Sequence, residues 1–284
     1  MVDLHVHSVF SDGTLTPAEL IALARKTGVT AVALCDHNTV AGLPSFLAAA
    51  EGSGVAAVPG VEFSTDYRGR EVHILGLFIR PEDYGAVTAL LDEMLERKER
   101  SSIALCEALN KAGFSLHYAA IKAGTADGYV NRAVIAAEMV RSGVCTSVAE
   151  AFSQWLSPAR GYYQPPERLN ALEVIRFIKS IGAVAVLAHP FLAMEEGELR
   201  TFLKEAVCAG LDGMETMYPL FDDHTTRLAG EIADAFGLLH SGGSDFHGAN
   251  KPDIRLGTGR GTLCVPEKIV TDLEHRRKET AKKH

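Results

Sequence analysis

Along most of this 284-residue chain, short apolar runs alternate with longer amphipathic stretches, and a histidine or carboxylate stands at or just beyond the end of one run after another. That alternation constrains the fold more than any other feature, because strands separated by helices pack as a largely parallel sheet wrapped by helices. Val2 to Val6 reads as a strand and Thr16 to Lys26 as a helix, with Thr16 as N-cap, Pro17 at the first position and Glu19 completing a capping box. Val29 to Cys35, Val55 to Phe63 and Val72 to Phe78 read as further strands, with a helix over Val40 to Glu51 and a turn at Tyr67-Arg68-Gly69. From Leu172 helices over 172–180, 195–209 and 223–235 alternate with strands over 183–188, 211–217 and 238–241. Between these halves, helical spacing and charge clusters such as Glu96-Arg97-Lys98-Glu99-Arg100 dominate. The pattern predicts an α/β barrel built from residues 1–83 and 165–284 and interrupted by a helical insertion subdomain over 84–164.

Charge narrows the partners. The 28 basic residues against 36 acidic ones leave a formal net charge of −8, and no basic stripe of the kind that grips a long nucleic acid stands out. No stable long nucleic-acid partner is expected, while divalent cations bound locally would still make an anionic small molecule acceptable. The five cysteines are widely spaced and never form C-x-x-C, which reads as the reduced thiols of a cytoplasmic protein. No apolar run reaches the roughly 20 residues of a membrane span, and Met1 runs directly into the first strand, so no cleaved leader is expected.

The polar residues at the strand ends carry the chemistry. His5-Val6-His7 places two imidazoles on one face of a strand, where they can share a cation. Asp12 follows in the next loop. The second strand ends in Asp36-His37, the third in Pro59-Gly60-Val61-Glu62, and the fourth carries His73. After the insertion come His189-Pro190 and then Gly243-Ser244-Asp245-Phe246-His247. In α/β barrels the functional loops gather at one end of the strands. Leaving this many polar groups unpaired there costs about 1 to 3 kcal/mol each, and cations are what make such clustering favourable.

These motifs, with Ser11-Asp12-Gly13, Val72-His73-Ile74-Leu75-Gly76 and Ala188-His189-Pro190, resemble those of the polymerase and histidinol phosphatase (PHP) family of metal-dependent phosphoesterases, in the family's order and over nearly the whole chain. The resemblance implies a distorted (β/α)7 barrel of seven strands. It also implies three cation positions: His5, His7, Glu62 and Asp245 at the first, a bridging Glu62 with His73 and His189 at the second, and Asp12, His37 and His247 at the third. Mixed imidazole and carboxylate ligands suit two to three ions of Mn²⁺, Fe²⁺ or Zn²⁺, with Mn²⁺ favoured, better than Mg²⁺ or Ca²⁺. Asp36 is assigned a supporting role beside the ligands.

The expected reaction is hydrolysis of phosphate esters of small metabolites, phosphomonoesters or cyclic phosphodiesters of sugars or nucleotides, by metal-activated hydroxide. Neither G-x-S-x-G nor a P-loop is present to suggest another route. Glu62, Asp245 and His224 are the expected catalytic groups, and Arg132, Arg160 and Tyr218 the expected substrate contacts. Arg132 aligns with an arginine of related small phosphatases, but Val134 and Asn131 stand where those relatives carry His and Gly. The alternatives are a nucleoside 3′,5′-bisphosphate phosphatase, a short-oligonucleotide 5′-3′ exonuclease, and a non-catalytic PHP module.

Overall fold

The structure is a computed structural model that describes residues 1–125 and 130–281. The chain divides into two compact units, Met1–Thr88 with Leu169–His284, and Ala89–Arg168. In chain order the elements are β1 (Val2–Val6), α1 (Pro17–Thr27), β2 (Ala31–Leu34), α2 (Leu43–Ala50), β3 (Ala56–Tyr67) and β4 (Arg70–Leu77), followed by helices α3 (Tyr84–Lys111), α4 (Tyr118–Ala123), α5 (Arg132–Arg141) and α6 (Val148–Ala151). Then come β5 (Leu169–Asn170), α7 (Ala171–Ser180), β6 (Val184–Leu187), α8 (Pro190–Ala193), α9 (Glu196–Ala209), β7 (Gly213–Met217), α10 (Asp223–Ala235), β8 (Leu239–Gly242) and α11 (Lys268–Ala281).

In the first unit the strands lie in the order β1-β2-β3-β4-β6-β7-β8, with β5 paired beside β3. This seven-stranded sheet is nearly closed: Val6 bridges to Phe246, and the His7 N–H donates to the Phe246 carbonyl at 2.9 Å. The inward side chains Leu4, Ala33, Val58, Leu75, Val186 and Val265 fill the interior. The polar residues therefore occupy one end of a packed barrel rather than a pore.

The expectation of parallel strands needs one correction. β4 runs antiparallel to both β3 and β6. The cause is the two-residue connection Arg68-Gly69, with φ of +54° and +83°. Such a tight turn joins only antiparallel strands, since a parallel pair needs a long crossover. The stretch Tyr162 to Pro166, where strand signals reappear in the sequence, forms no strand. Pro165 and Pro166 offer no N–H to a ladder, and pairing resumes only at Leu169 opposite Thr65.

The second unit has its own core, with Leu105, Leu109, Ile135, Met139 and Leu156 buried and Phe114 and Trp155 packed against them. Its α5 starts cleanly because the Asn131 carboxamide oxygen accepts the N–H groups of Ala133 and Val134 at 2.8 and 3.0 Å.

Candidate metal centre

Glu62 lies at the middle of the polar cluster, buried on β3. One carboxylate oxygen, Oε2, is 3.2 Å from each of His5 Nε2, His7 Nε2 and His37 Nδ1. The other, Oε1, is 2.8 Å from His73 Nδ1 and 3.1 Å from His189 Nε2. One carboxylate thus faces five imidazoles drawn from four strands and their following loops. Its backbone is tied to the loop that carries His37: the Glu62 N–H donates to the Asp36 carbonyl at 3.2 Å, and the Asn38 N–H donates to the Glu62 carbonyl at 2.9 Å. The reversal of β4 explains why His73 sits in the first half of its strand rather than at its end. Running the opposite way, β4 reaches the polar end of the barrel early, pairing His73 with Ser64.

Two further carboxylates complete the cluster. Asp245 Oδ1 is 3.3 Å from His7 Nε2, 3.4 Å from His247 Nδ1 and 3.7 Å from His5 Nε2. Asp12 Oδ1 is 3.2 Å from His247 Nε2, and its Oδ2 is 3.9 Å from His37 Nε2. The nine residues expected as ligands fall into four overlapping groups: His7, Asp12, His37 and His247; His5, His7 and Asp245; His5, Glu62 and His189; and His37, Glu62 and His73. Within each group the ligand atoms lie within 4.8 Å of one another. Two of the nine hold a backbone conformation that non-glycine residues avoid, Asp245 at φ +53° and His189 at φ +26°. Such positions cost about 1 to 3 kcal/mol each and persist where the surroundings fix them. At Gly243 a Cβ would lie 2.5 Å from the Cβ and N of His5, so a glycine is what lets the last strand close against the first beside the cluster.

The donor set fits divalent cations. His5 Nε2, both ring nitrogens of His7, His37 Nδ1, His189 Nδ1 and Glu62 Oε2 are buried and lack a hydrogen-bond partner among the described residues. Orphaned nitrogens and a carboxylate oxygen aimed at shared points are costly unless something electropositive joins them. Charge points the same way. Burial alone would raise Glu62, but the His5 charge and the hydrogen bond with His189 hold its carboxyl well below the usual range. Burial likewise opposes ionisation of Asp245 and Asp12, yet His5 and His7 keep the first, and His247 the second, far below ordinary carboxylates. Burial lowers His37 to about 4, whereas His73, facing Glu62 and Glu71, is held up at about 9 despite its burial. The set presents three anionic carboxylates among convergent nitrogens.

Supporting residues fix the candidate ligands, and only Asp36 among them is singled out by the sequence. Asp36 accepts the Ser8 N–H at 2.7 Å and the hydroxyls of Ser8 and Ser11 at 2.6 Å each, which holds the loop leading to Asp12. Glu215, fully buried on β7, lies 3.0 Å from His5 Nδ1 and accepts the His189 N–H at 2.6 Å. Asp3, fully buried on β1, accepts the Ser244 N–H at 2.8 Å, its hydroxyl at 2.5 Å and the Gly257 N–H at 2.7 Å, anchoring the segment before Asp245. The available signal was a lone acid inside an apolar strand, Val2-Asp3-Leu4 and Met214-Glu215-Thr216, because an acid buried there needs donors to satisfy it.

The remaining expected site residues separate. The Tyr218 hydroxyl donates to Asp245 Oδ2 at 2.8 Å, and its ring lies 5.4 Å from that of His189. His224 is exposed in the first turn of α10 and is in none of the four groups. Asp222 caps that helix by accepting the Thr225 N–H at 2.7 Å, and the first turn carries His224 to solvent. In the second unit, the Arg132 guanidinium stacks 4.3 Å over the Tyr163 ring and 5.6 Å from that of Phe152, and Arg160 is exposed, donating through Nε to the Ser153 carbonyl at 2.7 Å.

Comparison with known proteins places this geometry. A family model described as the PHP domain matches residues 3–162. A 5′-3′ exoribonuclease of Haemophilus influenzae is 35% identical over 246 residues, 86% of this chain and 89% of that one. A phosphoribosyl 1,2-cyclic phosphate 1,2-diphosphodiesterase of Eggerthella lenta is 33% identical over 87% of this chain and 94% of its own. A 3′,5′-nucleoside bisphosphate phosphatase of Chromobacterium violaceum is 32% identical over 97% of each chain. A solved structure from Bifidobacterium adolescentis, assigned as a metal-dependent phosphoesterase, superposes with a TM-score of 0.69 at 28% identity, covering 96% of this chain and 95% of that one.

Proposed function

Because the chain belongs to the PHP domain family, we propose that its cluster hydrolyses phosphate esters of small metabolites, phosphomonoesters or cyclic phosphodiesters of sugars or nucleotides. In its general class it is a phosphoric ester hydrolase, as are relatives that span most of its length. The observation that carries the reading is the buried Glu62 carboxylate ringed by five imidazoles. The nine ligands suit two to three divalent transition-metal ions, with Mn²⁺ our choice for this imidazole and carboxylate set. Cations held there supply a lowered pKa for water and stabilisation of negative charge on phosphoryl oxygens.

The chain's own residues do the rest. Glu62 gathers ligands from separate strands around one point, and Glu215 orients His5 and the His189 backbone. Tyr218 holds one oxygen of Asp245 so that the other faces His5, His7 and His247. The Cys35 thiol, raised by burial far above its ordinary range, is unsuited to act as a nucleophile. A reducing cytoplasmic setting suits the five free cysteines, and among the described residues no helix is long and apolar enough to cross a membrane.

The test is a screen of phosphate release over mononucleotides, nucleoside 3′,5′-bisphosphates, sugar phosphates, cyclic sugar phosphates and short RNA. Fastest turnover on a compact sugar or nucleotide phosphate is the expected result. The identity with the Haemophilus exoribonuclease supports a second reading, in which short RNA is the substrate; fastest turnover on RNA with stepwise release of mononucleotides would establish it instead.

A further inference from the structure

Asp245 presents its two oxygens to different surroundings. Oδ1 faces the nitrogens of His5, His7 and His247, while Oδ2 accepts two hydrogen bonds, from the Tyr218 hydroxyl at 2.8 Å and from the Lys251 ammonium at 2.7 Å. Lys251 is more than a third exposed, whereas Asp245 is nearly buried. A flexible lysine reaches so fixed a place because the six-residue return from Asp245 is itself fastened. The chain turns through the short helical turn Gly248–Asn250. Gly248 has φ +64°, and a Cβ there would stand 2.1 Å from Thr14 Oγ1, so only glycine allows the approach. The Ala249 N–H donates to that same Thr14 oxygen at 2.9 Å, and Asn250 Nδ2 donates to the Asp12 carbonyl at 2.8 Å. One strap thus ties down the backbone of Asp12 and delivers a cation to the outer oxygen of Asp245.

We propose that Lys251 is a positioning residue of the metal centre: with Tyr218 it occupies Asp245 Oδ2, so that the carboxylate offers Oδ1 alone to a cation shared with His5 and His7. Nothing in the sequence pattern singles Lys251 out, and the comparisons with known proteins assign it no role. Partners of a ligating carboxylate commonly change metal affinity 10- to 100-fold when removed. The lysine also offsets negative charge on the face of Asp245 turned away from the histidines. The inference rests on the cation reading of the site and not on the choice of substrate.

The experiment measures Mn²⁺ binding to the full chain by equilibrium dialysis over a range of buffered free Mn²⁺, with no substrate present. Lys251→Met is expected to weaken one Mn²⁺ site by about 10- to 100-fold while the others keep their affinity. Lys251→Arg, which retains a cation that can donate to Oδ2, should recover most of that loss. Circular dichroism of the metal-free variants should match the parent, which separates an effect on metal binding from a failure to fold. Mn²⁺ binding by Lys251→Met equal to that of the parent at every site would overturn the proposal. So would unchanged Mn²⁺ binding with a raised KM for phosphoester substrates, since the lysine would then touch substrate rather than position Asp245. Failure of the protein to hydrolyse any phosphoester would count against the functional reading and leave this measurement unaffected.

Discussion

Glu215 Oε1 lies 3.0 Å from His5 Nδ1, both side chains fully buried. With the carboxylate accepting, the proton resides on Nδ1, which leaves the Nε2 lone pair, facing Glu62 and Asp245, available to a cation. Glu215→Gln can present its N–H₂ to Nδ1 and favour the wrong tautomer. Metal affinity is expected to fall 10- to 100-fold, read by competition with a chromophoric chelator. A variant that binds like the parent would remove Glu215 from the account of the site.

Glu62→Gln tests the central carboxylate with almost no change in volume. It should lower kcat at least tenfold, a rise of about 1.4 kcal/mol or more in the barrier, with the circular dichroism of the parent retained. A smaller loss would mean that the five facing imidazoles do not depend on the Glu62 charge.

Protein purified without chelators is expected to carry between two and three transition-metal ions per chain by elemental analysis, and chelation should abolish phosphate release, restored by Mn²⁺. A metal-free protein with activity indifferent to chelation would refute the mechanism.

Stability should depend on pH in opposite senses with and without metal. His73 titrates near 9 in the folded, metal-free protein, held up by Glu62 and Glu71 against its burial, and near 6.5 when unfolded. Its contribution to stability is therefore complete below about pH 6.5 and lost as pH rises through 9. His5 and His7 are raised as well, their carboxylate neighbours outweighing burial, and they act in the same direction. The metal-free Tm should fall between pH 7 and 9.5. Cations require neutral imidazoles, so in saturating Mn²⁺ the Tm should instead rise from pH 6 to 8. Parallel curves from scanning fluorimetry in the two conditions would contradict this.

How much of this was legible in the sequence depends on range. The candidate ligands other than His73 were legible because they stand at or near a strand end or in the loop beyond it, and because His5-Val6-His7 announces its shared face through strand alternation alone. The direction of β4 was encoded in Arg68-Gly69, but a general pattern of alternating strands and helices masks a single hairpin. The contacts of Glu215 and Asp3 are not legible in the sequence because they join segments far apart, 210 residues between Glu215 and His5 and 254 between Asp3 and Gly257. Local periodicity reports which face a side chain takes, not what it meets there. His224 lies exposed in the first turn of α10, outside the four groups, and helical periodicity alone does not report how far that turn stands from the cluster.

The hairpin of β3 and β4 bears on the order in which the protein acquires its chemistry. Glu62 and His73 are only eleven residues apart and meet within one local hairpin, whereas His5 waits for Glu215 and Asp245, more than two hundred residues downstream. Local contacts form early, and long loops close late. A chain that has emerged through β4 contains Glu62 and His73, yet the Asp245 oxygen arrives only after the last barrel strand. The nine residues expected as ligands can therefore come together only once the last barrel strand has closed against the first.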